Sequence, residues 1–325
     1  MTQKILPLQI EKFKQKNMRP QNVIDKPGEN AIFMVFGLLE TKNAVDAVKD
    51  LCERFPVIIR SMRNRFPEQE ISGVMGFGAD AWSKLFPELA KPKELVSFEE
   101  IKGNKHTAVS TPGDLFFHIR SKKPDTCYEI ARLISDALQE ATTAIDEVNG
   151  FRYFDGRAII GFVDGTENPD FDTYKYAVIG DNEPEFKGGS YAFVQKYIHN
   201  MSVWNSLSTE EQEKVIGRRK FDDWELDDEE KPENAHNAVT NIEDEEGNEL
   251  KIVRANMPFA NPAKREFGTY FIGYASTFST TRQMLENMFI GEPEGNYDRL
   301  LDFSTAVTGT LFFVPSFDLL ESLSE

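Results

Sequence analysis

Along the chain, short apolar runs alternate with stripes of helical spacing, and the alternation occurs twice. Ala31–Leu39 is a continuous apolar, aromatic-rich run and predicts a strand. Ala44, Val45, Val48, Leu51, Cys52 and Phe55 then share one helical stripe, which Pro56 is expected to end because it lacks the N–H that the next turn needs. Ile71–Phe77, punctuated by glycine, and Asp114–Arg120 are further strands. Pro124 and Asp125 open a helix that carries Cys127, Ile130, Ala131, Ile134 and Leu138 on one face.

The second series follows the same order. Ser190–Tyr197 reads as a strand, and Ser208 with Glu211 forms the capping box of a helix that Gly217 closes. Leu250–Met257 and Thr269–Phe278 are strands, Met284, Leu285, Met288 and Phe289 stripe a helix ended by Gly291, and Thr310–Val314 is the last strand. Two matching halves predict an α+β fold made of duplicated ferredoxin-like domains, each an antiparallel sheet with helices on one face. The expected domains are residues 1–150 and 151–325, which suits a chain of 325 residues. Phe221–Glu249, dense in Asp and Glu, is expected to be an exposed loop; a loop of that length inside a compact domain is usually functional, and it holds His236.

Charge narrows the partners. With 54 acidic against 37 basic residues the formal charge is −17, which repels phosphate backbones and anionic headgroups, so neither nucleic acid nor a membrane surface is expected as a partner. No stretch is apolar over the ~18 residues a span requires. Residues 1–7 lack the apolar core of an export signal, so a cytoplasmic location is expected. The two cysteines, Cys52 and Cys127, fall on helical stripes as small buried hydrophobes, which leaves no disulfide framework.

Two stretches carry candidate chemistry. In Gly161-Phe162-Val163-Asp164-Gly165-Thr166-Glu167-Asn168-Pro169, glycines flank an aspartate and let the backbone approach a ligand closely. On its own this is a plain turn or an oxygen-rich calcium loop using Asp164, Glu167, Asn168, Asp170 and Asp172, without EF-hand spacing. In the strand from Leu250, alternation puts Leu250, Ile252, Arg254 and Asn256 on one side. A guanidinium on an apolar face must meet an acid, an anion or solvent, so this is either a strand end emerging into water or a polar cluster in a pocket.

At these residues the chain resembles the dye-decolorizing peroxidases. The run Gly161–Pro169, the histidine at 236, Arg254-Ala255-Asn256-Met257-Pro258-Phe259 and the ending from Leu300 to Ser316 match that family in order, while the N-terminal half matches in pattern only. The resemblance implies haem b in the C-terminal half, His236 as the iron ligand, and Asp164, Arg254 and Asn256 as catalytic groups on the distal side. It also implies cofactor contacts from Gly165, Thr166, Glu167 and Asn168, and an acidic residue behind the histidine. Asp298 and Asp302 share a face if their segment is helical, and Asp298 is the one expected. The implied partners are hydrogen peroxide and small electron donors such as dyes and phenols, in a homo-oligomer.

Among the other candidates, His199 is the rival ligand, His118 reads as core and His106 as loop. Arg218 and Arg219 suit haem propionates or a helix C-terminus equally. The aromatic residues, Trp204 and Trp224 included, offer electron relays without singling one out. The alternatives to an enzyme are a haem carrier and a calcium-binding module. The segment 317–325 is not a long tail, so packaging inside a protein shell is not expected.

Overall fold

A computed structural model describes residues 18–324, and the expectation about residues 1–7 lies outside them. Ten strands form one sheet in which every pairing is antiparallel. The first half supplies β1 (Asn30–Leu38), β2 (Ser72–Phe77), β3 (Leu115–Ser121) and β4 (Thr142–Phe151). The second supplies β5 (Ser190–His199), β6 (Val253–Arg254), β7 (Met257–Asn261), β8 (Glu266–Ala275), β9 (Ser304–Ala306) and β10 (Thr310–Val314). Their order is β6-β8-β5-β10-β2-β3-β1-β4, with β7 also on β8 and β9 also on β5. With β6 and β7 counted as one strand and the short β9 set aside, each half reads fourth, first, third, second, the ferredoxin-like order, so the duplication is visible in the pairing itself.

The halves meet where β2 pairs β10 at Phe77 and Phe313. Aromatic rings pack edge-on at that seam, with centroids 5.2 Å apart for Trp82 and Phe313 and 5.3 Å for Phe186 and Phe313, the arrangement that ring quadrupoles favour. The inner faces of the rolled sheet also touch. Phe33 on β1 stacks on Tyr270 of β8 at 4.2 Å, and Gly150 on β4 admits Met257, whose Cβ would lie 2.6 Å from any Cβ placed there. The helices cover the outer faces.

Helix α1 (Lys42–Arg65) continues past Pro56, against expectation. Losing one backbone bond costs about 3 kcal/mol, but the apolar stripe continues through Ile59 and Met62, both buried in the same core as Val48, Leu51 and Phe55. Packing therefore outweighs the break. Helix α2 (Pro124–Leu138) and α3 (Thr209–Ile216) follow the expected stripes, the latter with both halves of its capping box formed and Gly217 at φ 88°.

Two expectations fail around the acidic segment. Residues 221–249 are not a plain loop: they contain helix α4 (His236–Thr240), and Ile242–Glu243 pairs with Glu249–Leu250. The strand expected over Leu250–Met257 is broken into three pieces, because side chains take over part of the backbone bonding there. Asn168 accepts from the Arg254 N–H and donates to its carbonyl, both at 2.8 Å, while Asn256 accepts from the Ile272 N–H at 3.1 Å. Strand β8 stops at Ala275, and helix α5 (Phe278–Phe289) begins where the strand was expected to end. No helix among the described residues is long and apolar enough to cross a membrane.

Candidate active site

Between the outer face of the second half's strands and α5 lies a cleft of about 1010 Å³, counting its open mouth. That is at the upper end of ligand-site volumes, roughly 300–1,000 Å³. Its walls are mostly apolar, with Ile160, Phe162, Ile252 and Phe271 facing Met284, Leu285 and Met288 of α5. Into it project His236, His199, Asp164, Arg254 and Asn256.

His236 is the first residue of α4, and its Nδ1 lies 2.6 Å from Asp298 Oδ2. Asp298 is fully buried, and its other oxygen caps the 3-10 turn Arg299–Asp302 by accepting from the Leu300 N–H at 2.9 Å. A second tie, from the Arg299 N–H to the Asn234 carbonyl at 3.1 Å, joins the two segments. A carboxylate at Nδ1 holds the proton there and leaves Nε2 as the nitrogen with an open lone pair.

Asp302 goes elsewhere. The segment is a 3-10 turn with three residues per repeat, so positions four apart do not share a face. Asp302 instead meets Lys105 at 2.6 Å and His106 at 2.9 Å. Burial pushes its carboxyl upward, but hydrogen bonds from Lys105 and His106 leave it below its ordinary range.

His199, the rival ligand, has both nitrogens engaged, Nδ1 with Ser304 Oγ at 2.7 Å and Nε2 with Thr269 Oγ1 at 2.9 Å. Burial lowers its pKa to about 4. His118 lies in the inner core, 2.9 Å from the Tyr274 hydroxyl and stacked on Phe33.

The aspartate of the glycine-flanked run is fixed from both sides. Gly161 and Gly165 both take positive φ, 95° and 91°, which turns the chain sharply around Val163 and Asp164. The Asp164 N–H donates to the Gly156 carbonyl at 3.0 Å. Asn256 donates from Nδ2 to Asp164 Oδ1 at 3.1 Å; since its Oδ1 already accepts from Ile272, its amide can point only this way.

Arg254 is held by its backbone through Asn168, and its side-chain Nε is buried without a partner among the described residues. Burial pulls its guanidinium below the usual range, Asp164 and Glu167 pull it back up, and Arg218 lowers it. A guanidinium remains charged at any relevant pH. Asp164 is the nearby carboxylate that offsets its charge, and with Nε lacking a hydrogen-bond partner among the described residues the guanidinium can still donate to a polar group that enters the cleft.

The remaining expected contacts are not in the cleft. Gly165 and Thr166 line a neighbouring cavity, and Thr166 donates to Asp223 at 2.5 Å. Glu167 pairs with Arg218, and Arg219 pairs with Glu213 at 3.1 Å and Glu230 at 2.6 Å, so both arginines are taken by carboxylates. Among the described residues no three His, Cys, Asp or Glu side chains converge as a metal cage, and Glu167 and Asn168, two of the calcium candidates, are engaged as above. The hydroxyl pair on His199 was not legible in sequence, since Thr269 and Ser304 sit on separate strands and carry no local motif.

Residues 20–152 match the family model described as Dyp-type peroxidase, N-terminal, and residues 155–319 the one described as Dyp-type peroxidase, C-terminal. A dye-decolorizing peroxidase from Bacteroides thetaiotaomicron superposes with a TM-score of 0.92 at 65% identity, covering 95% of this chain and 99% of that one. A variant of DypB from Rhodococcus jostii RHA1 in complex with haem gives 0.90 at 48% identity, covering 94% and 99%. The encapsulated DyP-type peroxidase from Mycobacterium smegmatis gives 0.90 at 50% identity, covering 93% and 97%. With both halves matched in order, the chain belongs to the Dyp-type peroxidase family.

Proposed function

We propose that this protein is a haem b peroxidase that reduces hydrogen peroxide and oxidises small organic donors such as dyes and phenols. The observation that carries the reading is one cleft lined both by a histidine whose Nδ1 is held by a buried carboxylate and by an Asp164–Asn256 pair beside the unpartnered guanidinium of Arg254. The residues fit the group: His236 Nε2 would ligate iron, apolar walls would cover a porphyrin, and the charge on Arg254 would find a polar partner. Bound there, haem b supplies the redox chemistry that couples peroxide reduction to donor oxidation.

The chain's own groups divide the rest. Asp164 holds and moves a proton at its carboxylate, in the orientation that Asn256 sets. Arg254 supplies a fixed positive field, an effect worth ~10²-fold or more in rate when a site is preorganised and dry. Asp298 makes the imidazole of His236 more electron-rich and fixes its orientation. Asn168 clamps the backbone of Arg254, while Gly165, Thr166 and Glu167 brace the same segment from outside the cleft.

A haem carrier would use His236 and Asp298 but has no need of an oriented acid beside a buried arginine. An absorbance spectrum of the haem-loaded protein before and after peroxide, followed by peroxide-dependent bleaching of a dye, tests the difference. A haem-loaded sample without turnover favours the carrier and overturns the enzyme.

The same reading divides the chain into domains 1–150 and 151–325, supported by the repeated strand order and by the two matched regions. It places the enzyme in the cytoplasm as a homo-oligomer, with peroxide and small donors as its partners and with neither nucleic acid nor membrane. The charge of −17 supports the last point, and sedimentation of the purified protein tests the oligomer.

A further inference from the structure

Every residue that lines the main cleft lies in the second half, from Ala158 to Ser304, so any structural influence of the first half on the site passes through segments that it holds. One part of the first half reaches the histidine side. It is the short hairpin in which Ile101–Lys102 pairs with Thr107–Ala108, rooted by Ile101 and Ala108 in the core. The Gly103 N–H donates to the His106 carbonyl at 3.0 Å and closes the tip. A Cβ at Gly103 would fall 1.7 Å from the Phe289 carbonyl oxygen, so the tip sits flush on the end of α5.

From that tip Lys105 and His106 meet two residues that bracket Asp298. Lys105 Nζ donates to Asp302 Oδ1 at 2.6 Å and to the Tyr297 hydroxyl at 3.0 Å, and it lies 5.3 Å from the centre of the Tyr297 ring. His106 donates from Nε2 to Asp302 Oδ1 at 2.9 Å and packs edge-on against the same ring, with centroids 5.2 Å apart. The Tyr297 hydroxyl itself donates to Asp302 at 3.2 Å. Tyr297 precedes Asp298, and Asp302 ends the 3-10 turn that Asp298 caps, so both sides of the turn are pinned to one hairpin tip. A lone surface ion pair would contribute little, but here three donors share one carboxylate, and the side chains of Asp302 and His106 are only 26% and 21% exposed. A 3-10 turn has poorer internal hydrogen bonds than an α-helix, so its shape depends on such outside ties.

We infer that Lys105, His106, Tyr297 and Asp302 form a clamp by which the first half positions Asp298 behind His236 and so sets the reduction potential of a bound haem. The inference rests on the proposed peroxidase reading for its cofactor. Lys105 and Asp302 are positioning residues, which act through Asp298 and touch neither the cofactor nor its ligand. A carboxylate held 2.6 Å from Nδ1 keeps the imidazole electron-rich and favours oxidised iron. When the turn loosens, that hydrogen bond weakens and the potential rises.

The test is spectroelectrochemical titration of the haem-loaded protein. Asp302→Asn is expected to raise the potential by the equivalent of about a tenfold change in the ratio of oxidised to reduced iron, ~59 mV for one electron. Lys105→Met is expected to raise it by about a threefold change in the same ratio, and Lys105→Arg to keep the parent value. The sign for Lys105 separates positioning from direct electrostatics: removing a cation near the iron favours the oxidised state and lowers the potential, whereas a loosened clamp raises it. In an Asp298→Asn background the rise with Lys105→Met is expected to vanish, because the hydrogen bond it positions is already altered. The Lys105 side chain is 55% exposed, so its replacement is expected to leave the fold intact even where that of Asp302 does not. A lowered or unchanged potential in Lys105→Met, or the same rise with and without Asp298, overturns the clamp. Peroxide-dependent bleaching of a dye by the parent protein reports on the peroxidase reading separately: bleaching with flat potentials overturns the clamp alone, and the pattern of potentials without bleaching supports the clamp and overturns the enzyme.

Discussion

His236 Nδ1 and Asp298 Oδ2 are 2.6 Å apart, and Asp298 has no exposed surface. Asp298→Asn keeps a hydrogen-bonding group but removes the negative charge, so the imidazole becomes a weaker donor to a metal. The variant is expected to bind haem about 10–100-fold more weakly and to have a higher reduction potential. Haem titration and spectroelectrochemistry measure both. His236→Ala is expected to lose the histidine ligand altogether, seen as a changed absorbance spectrum.

Arg254 and Asp164 are expected to govern the reaction with peroxide rather than haem binding. Arg254→Leu should slow that step by about 10²-fold or more, and Asp164→Ala should slow it measurably as the oriented carboxylate is lost. Stopped-flow mixing with peroxide checks this, and an unchanged rate in both variants would discard the proposed division of roles.

Gly217 closes α3 at φ 88°, and a Cβ there would fall 1.7 Å from Asn237 Oδ1. Asn237 follows His236 in α4. Gly217→Ala is therefore expected to destabilise the protein and also to displace α4, lowering haem affinity. Gly247→Ala is the comparison: it carries a similar φ of 80° with nothing within 4 Å, so only backbone strain of roughly 1 kcal/mol is expected. Denaturation midpoints with haem titrations separate the two.

His199 predicts an acid sensitivity. Its folded pKa is lowered to about 4 by burial, against 6.5 ordinarily. Between these values the unfolded chain binds a proton that the folded chain does not, so stability is full above pH 6.5 and falls as pH drops towards 4. The loss from this group is on the order of 3 kcal/mol. His118 is buried and shifted in the same direction, so the test is a difference. His199→Gln should show a smaller drop between pH 7 and pH 4.5 than the parent chain in urea titrations.

Much of this was legible because the determinants are local. Ser208 with Glu211 and Gly217 predict both ends of α3, and the stripe Cys127–Leu138 predicts α2. Alternation put Leu250, Ile252, Arg254 and Asn256 on one side; the last three line the cleft although the strand itself is broken, while Leu250 lines a neighbouring cavity. The break depends on Asn168, 86 residues away, and no local pattern announces it. Helix α4 was hidden because acidic residues around it mask a five-residue element, and the run past Pro56 because packing outweighed a local rule. The family resemblance called for an acidic residue behind the histidine without deciding between Asp298 and Asp302; the 3-10 geometry supplies the physical reason for Asp298.

The seam at Phe77 and Phe313 has a consequence for any attempt to work with half the molecule. Separated near residue 153, each fragment would bare an edge strand, β2 or β10, together with a wall of aromatic rings that normally face their counterparts. Uncovered edges of that kind recruit whatever strand is at hand. Fragments produced singly should clump, whereas the same two pieces expressed together should find each other and rebuild the complete sheet.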